Sequence, residues 1–163
     1  MPAHTFHDND STIPAEIISA GFADIEKVIV MGGGVLELYG LRRATDIDLV
    51  TTQANSEGLI ADNPQRWHKI VRHYTALADG HPFTRTSIAD TDARFDIWNQ
   101  WYDVRRPVGD RQLYPLRDLR ARSVQHPMGF YVMRLDEMID MKQAAARDKD
   151  LRDVALYQQL GEA

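Results

Sequence analysis

The sequence predicts a mixed α/β (α+β) fold: one mixed β-sheet flanked by helices and closed by a C-terminal helix pair. Three observations carry this. Lys27–Met31 (KVIVM) and Ile47–Thr51 (IDLVT) are short apolar runs of strand length. The glycines Gly32-Gly33-Gly34 separate the first run from a short helical pattern that Gly40 stops. From Asp136 to Leu160 the pattern is helical throughout. The expected order is helix, strand, helix, strand, helix, hairpin, loop, helix pair, which differs from a regular parallel βαβ array.

Residues 1–11 are polar and are expected to fray. A helix is expected from Ile13 to Gly21, with Thr12 and Pro14 as start signals and Gly21 as the stop. The Lys27–Met31 strand follows, then a helix through Val35, Leu36 and Leu38. Alternation along Ile47–Thr51 puts Asp46, Asp48 and Val50 on one face and Ile47 and Leu49 on the other. Residues 52–62 read as a loop. Asn63-Pro64 reads as a helix start, and Trp67, Ile70, Val71, Tyr74 and Ala78 fall on one helical stripe ended by Gly80. Phe83–Ile88 and Ala93–Trp98 read as strands joined by a turn at 89–92. Residues 103–127 read as an irregular, arginine-rich segment, and Phe130–Met133 as a short strand. Helices are expected at Asp136–Ala146 and Lys149–Leu160.

At 163 residues the chain suits a single domain, with a core over about 13–100 and the arginine-rich loop and C-terminal helices over about 103–160. Its hydrophobic content of 44% and charged content of 26% are those of a water-soluble globular protein. No run is apolar enough for a membrane span, and residues 1–14 lack the pattern of a signal peptide, so no membrane association is expected. Zero cysteines exclude disulfides and thiol catalysis and fit a cytoplasmic location. A net charge of −5 argues against binding nucleic acid over the whole surface.

The chemistry concentrates at Asp46-Ile47-Asp48. Two carboxylates two residues apart on a strand share a face about 7 Å apart, and paired metal ions about 4 Å apart need such acids. An isolated pair of this kind is a common surface pattern. The glycine run upstream distinguishes this one, because backbone N–H groups at a helix start suit phosphate. The glycines match neither a P-loop nor a dinucleotide fingerprint. Asp96, in Arg94-Phe95-Asp96-Ile97-Trp98, is an acid among large apolar residues, a costly placement unless it is paired or binds metal. It is the candidate third carboxylate. Arg42, Arg43 and Thr45 lie between the glycines and the acid pair and are candidates for triphosphate contact. Lys142 falls on the apolar stripe of its helix with Met138 and Ile139, where a lysine either reaches the edge or meets an anion. Asp150 and Asp153 beyond it read as a capping and ion-pair cluster. Between Arg105 and Arg122 six arginines stand against two aspartates, and this stretch reads either as a solvated loop or as a contact for a polyanionic acceptor such as RNA. The six histidines form no metal set.

These residues together resemble the DNA-polymerase-β-like nucleotidyltransferase superfamily. The N-terminal part of the resemblance is Gly32-Gly33, a short helix to Gly40, and Arg43-Ala44-Thr45-Asp46-Ile47-Asp48-Leu49. The closing stretch, Leu135 to Lys142 and then Arg147 to Asp153, is similar to that of small bacterial nucleotidyltransferases, including relatives of the AbiEii-type toxins of toxin–antitoxin systems. The resemblance implies two Mg²⁺ ions, with Mn²⁺ a possible substitute, on Asp46, Asp48 and Asp96. It implies that Gly32, Gly33 and Lys142 face the triphosphate of an NTP. Many relatives have Gly-Ser where this chain has Gly-Gly, and the chain lacks room for the larger helical domain of many members, which leaves the acceptor open. Two other classes fit parts of the pattern: a metal-dependent sugar-nucleotide glycosyltransferase, and a non-catalytic nucleotide- or partner-binding module of a toxin–antitoxin pair.

Overall fold

The computed structural model describes residues 5–75, 80, 82–102 and 113–161. They form α1 (Ile13–Ala20), β1 (Val28–Met31), α2 (Gly32–Leu38), β2 (Ile47–Thr51), α3 (Gln53–Asp62), β3 (Trp67–Thr75), β4 (Pro82–Asp90) and β5 (Phe95–Trp98). Beyond these lie β6 (Trp101–Tyr102), β7 (Leu113–Tyr114), α4 (Leu116–Ala121), β8 (Ser123–Gln125), β9 (Tyr131–Met133), α5 (Leu135–Ala145) and α6 (Asp148–Gly161). The fold is the mixed sheet with flanking helices and a C-terminal helix pair that the sequence predicts. Among the described residues, seven strands make one sheet in the order β3-β4-β5-β2-β1-β9-β8, and β6 and β7 form a separate ribbon.

The sheet is mixed because its centre joins strands distant in sequence. β1 runs antiparallel to β2 but parallel to β9, and β2 runs parallel to β5. Strands in the middle of such a sheet are covered on both faces and read as continuous apolar runs. Val28, Ile29, Val30 and Met31 are accordingly all fully buried. Gly34 lets α2 lie close on this strand, since a Cβ there would sit 2.9 Å from Val30 Cγ1. No helix of the described residues is long and apolar enough to cross a membrane.

Two expectations are corrected. Of the expected loop 52–62, residues 53–62 are helix α3 with Thr52 as its N-cap, and Asn63 ends that helix instead of starting the next. α3 carries little apolar periodicity, so its signal was weak. It is built on polar contacts. The Thr52 hydroxyl accepts from the Asn55 N–H, and the buried Asn55 side chain bonds both backbone groups of Asp24 and the Thr51 hydroxyl. The segment expected as a helix from Asn63 is strand β3, paired with β4 from Trp67↔Asp90 to Thr75↔Pro82. Its β-branched and aromatic residues suit a strand. The stripe that suggested a helix does not form one apolar face: Trp67 is 2% exposed but Val71 is 59% exposed. Ala78 of that stripe lies outside the described residues.

The turn after β4 lies past Asp90, with Ala93 at φ +54° and Asp90 Oδ1 accepting from the N–H groups of Arg94 and Phe95. Arg105, Arg106 and Arg111 of the arginine-rich segment lie outside the described residues, while Arg117 and Arg120 sit on α4. Part of the stretch expected to be irregular is thus ordered as β7, α4 and β8. α5 ends at Ala146 in the left-handed region (φ 55°), which turns the chain sharply into α6.

Asn55→Ala removes three side-chain hydrogen bonds and strands the Asp24 backbone groups they satisfy. It is expected to cost about 2–3 kcal/mol, a fall in Tm of roughly 5–10 °C by thermal melt.

Candidate active site

The site grows from strand register. Met31 pairs with Asp48, and Asp48 pairs with Asp96 on the neighbouring parallel strand. Adjacent strands lie about 4.8 Å apart and registered side chains share a face. Asp48 and Asp96 are therefore side by side, and Asp46, in the bend just before β2, lines the same cleft as Asp48. Arg94 fixes the approach to this pair. Its guanidinium donates to the carbonyls of Ala44 and Thr45 at 3.2 and 3.1 Å and to both Glu16 carboxylate oxygens at 3.0 and 2.9 Å. The buried Glu37 completes the clamp, accepting from the Ala44 N–H at 2.8 Å and from the Ser11 hydroxyl.

The glycine turn packs directly on the acids. Gly32 has φ +58°, and a Cβ there would lie 2.5 Å from Asp48 Oδ2. The position admits glycine for both its conformation and its space. Its N–H donates to Met138 Sδ at 3.2 Å, so this donor is already engaged rather than bare. A Cβ on Gly33 would sit 3.3 Å from the Arg42 guanidinium nitrogens.

Crowding of like charge shows in the acidity of the group. Burial, then the neighbouring carboxylates of Asp46 and Asp96, push the Asp48 carboxyl up to about 7, against the pull of Lys149 and Lys142. Burial also raises Asp96, opposed by the Ser87 hydroxyl and by Arg72, whose Nη2 lies 3.4 Å from Asp96 Oδ2. Asp96 Oδ1 is buried without a hydrogen-bond partner.

Cations form the opposite wall. Lys142 is buried, its Nζ 3.0 Å from Asp153 Oδ2 and 3.5 Å from Asp150 Oδ1. Arg42 grips Asp153 with two hydrogen bonds of 2.6 and 2.7 Å, and Arg147 donates to Asp150 at 2.6 Å. Burial pushes the Asp153 carboxyl up, but the hydrogen bonds from Arg42 and Lys142 outweigh it and hold it below the ordinary range. Two buried acids of α6 thus hold three cations, from the α2–β2 connection, from α5 and from the turn between α5 and α6.

Asp46, Asp48 and the cations face one cleft of about 190 Å³ that Gly32, Gly33, Thr45 and Lys142 also line, whereas Asp96, in register beside Asp48, does not line it. Arg43 is not brought in: it donates to the Asp10 carbonyl, and its neighbour Arg42 lines the cleft instead. Trp101 and Arg147 also line it and were not anticipated. Nothing in the sequence separates Arg42 from Arg43, and Trp101 carries no motif. A larger cavity of about 380 Å³, between α3 and the β3–β4 hairpin, contains none of the three acids.

Hard carboxylate oxygens suit Mg²⁺. A divalent cation would pair the orphaned Asp96 oxygen and relieve the repulsion on Asp48, so the residues fit such an ion. Among the described residues no group of three acidic or histidine side chains is yet close enough together to hold a metal ion, so Asp46, Asp48 and Asp96 would have to draw together around one. No protein-family model, curated protein or solved structure matches the chain.

Because Asp48 holds its proton more tightly folded than unfolded, its ionisation destabilises the metal-free fold. The penalty begins near pH 3.8, grows up to about pH 7 and is full above that. Asp48→Asn is therefore expected to raise Tm in EDTA at pH 8, by roughly 2–4 °C per kcal/mol recovered, with the gain vanishing toward pH 4. Gly32→Ala is expected to lower Tm at every pH, because its Cβ meets Asp48 whether or not that group is ionised.

Proposed function

We propose that the protein is a Mg²⁺-dependent nucleotidyltransferase that moves a nucleoside monophosphate from an NTP to an acceptor hydroxyl. One observation carries this: Asp48 and Asp96 stand in register on adjacent parallel strands, with a side-chain-free glycine turn packed against Asp48. Nucleotidyl transfer uses carboxylates that hold metal ions beside a stretch of backbone that a triphosphate can approach closely.

Asp46, Asp48 and Asp96 are the residues that would hold two Mg²⁺ ions. Such ions neutralise the triphosphate and lower the pKa of the attacking hydroxyl. The remaining work falls to the chain. Lys142, with Thr45 and the Gly33 backbone beside it, orients the triphosphate across the cleft, and Arg42 adds charge from the same side. Asp96, on the strand beside Asp48, accepts the proton of the acceptor hydroxyl. The hydroxyl oxygen forms a bond to the α-phosphorus as the bond from that phosphorus to the β-bridging oxygen breaks. Pyrophosphate leaves with the bonding electrons. Positioning and charge neutralisation supply the rate.

Incubation with each α-labelled NTP, Mg²⁺ and fractionated cell extract is expected to label one fraction and release pyrophosphate. EDTA abolishes the label, and Asp46→Asn, Asp48→Asn and Asp96→Asn each reduce it by about 100-fold or more. No label from any NTP, together with no Mg²⁺-dependent NTP binding, overturns the proposal.

A further inference from the structure

Four cations line the cleft: Arg42, Lys142, Arg147 and Lys149. Three of them are committed. Arg42 and Lys142 hold Asp153, at 2.6 and 3.0 Å, and Arg147 holds Asp150 at 2.6 Å. Asp153 is 2% exposed and Asp150 0%, so a phosphate that drew a cation away from either would leave a buried charge poorly balanced. Lys149 is different. It is exposed, and among the described residues it makes no ion pair.

The helix that carries Lys149 gains nothing from its charge. Lys149 follows Asp148 in the first turn of α6, where a cation opposes the helix dipole. The flanking Asp148 and Asp150 suit that end of the helix, and the lysine between them does not. Its field reaches into the cleft. Burial and the neighbouring Asp46 and Asp96 push the Asp48 carboxyl up, and Lys149 pulls it down, ahead of Lys142. A cation held at a helix start, facing a cleft and uncommitted to any acid, is free for an anion that arrives and departs.

We infer that Lys149 is a further catalytic residue of the transfer, the group that receives the departing pyrophosphate. The inference rests on the nucleotidyltransferase reading. As the bond from the α-phosphorus to the bridging oxygen breaks, its electron pair passes to that oxygen. The Lys149 ammonium donates a hydrogen bond to the pyrophosphate that carries the new charge. No proton changes hands, and the lysine is free again once pyrophosphate diffuses away. Lys142 and Arg42, fixed by Asp153, set where the triphosphate lies, whereas Lys149 can follow the charge that develops as it splits.

The test is calorimetric titration of the full chain with pyrophosphate and with each NTP, in Mg²⁺, for wild type and Lys149→Ala. The variant is expected to bind pyrophosphate about 10-fold more weakly, the loss of one charge-assisted hydrogen bond. It should melt no lower than wild type, because the charge it loses does not favour α6. Label transfer from an α-labelled NTP should slow by about 10-fold or more. That loss should shrink with a donor whose β,γ-bridging oxygen is replaced by CF₂, because this leaving group needs less help. A merely structural role would slow both donors equally. Pyrophosphate binding unchanged in the variant, an equal loss with both donors, or a lower Tm without ligand overturns the inference. If wild type still binds an NTP with Mg²⁺ in that case, the donor reading stands. If wild type binds neither an NTP nor pyrophosphate, both fall.

Discussion

Everything at the candidate site depends on the alignment of β2 with β5, which sets Asp48 beside Asp96. Two carboxylates at strand spacing repel each other, and burial deepens the cost. The chain accepts this cost in the middle of its core sheet, where Ile47, Leu49 and Ile97 supply the compensating apolar burial on the opposite face. The surroundings make sense only around that crowding. The Gly32 turn leaves space against one carboxylate, and Arg94 ties the entering loop so that the acids cannot separate. Arg72 balances only one oxygen of Asp96.

The C-terminal helices answer this negative wall with a positive one that is itself tightly controlled. A buried lysine alone would lose its charge. Lys142 keeps company with Asp150 and Asp153, and each of those carboxylates is shared with an arginine. The array therefore fixes the direction of each cation instead of simply adding charge. Removing Asp153 would leave the buried Lys142 with only its longer 3.5 Å contact to Asp150, so the helix pair is structural and electrostatic at once.

The parts of the site that depend on period were legible in the sequence. Alternation put Asp46 and Asp48 on one face, an acid among apolar residues flagged Asp96, and a charge on an apolar stripe flagged Lys142. What sequence could not supply was partnership. β3 had residues compatible with either a helix stripe or a strand, and only its pairing with β4 decided between them. α3 was hidden because its stability comes from Thr52, Asn55 and Asp24 contacts rather than from an apolar face. Arg42 and Arg43 are identical in type, and the distinction between them arises from Asp153, which approaches from the far end of the chain. Arg72 and Trp101 belong to no pattern, and their place is set by strands that meet only in three dimensions.

The parallel pairing of β1 with β9 joins the first strand of the sheet to one that follows it only after most of the chain. The glycine turn leaves β1 and the lysine-bearing helix leaves β9, so the two walls of the cleft come from opposite ends of the sequence. During synthesis the acidic wall can take shape while the basic one is still in the ribosome. A half-made chain would hold crowded carboxylates with nothing to close over them. The cleft is therefore completed at one late moment, when α5 and α6 dock, rather than by degrees.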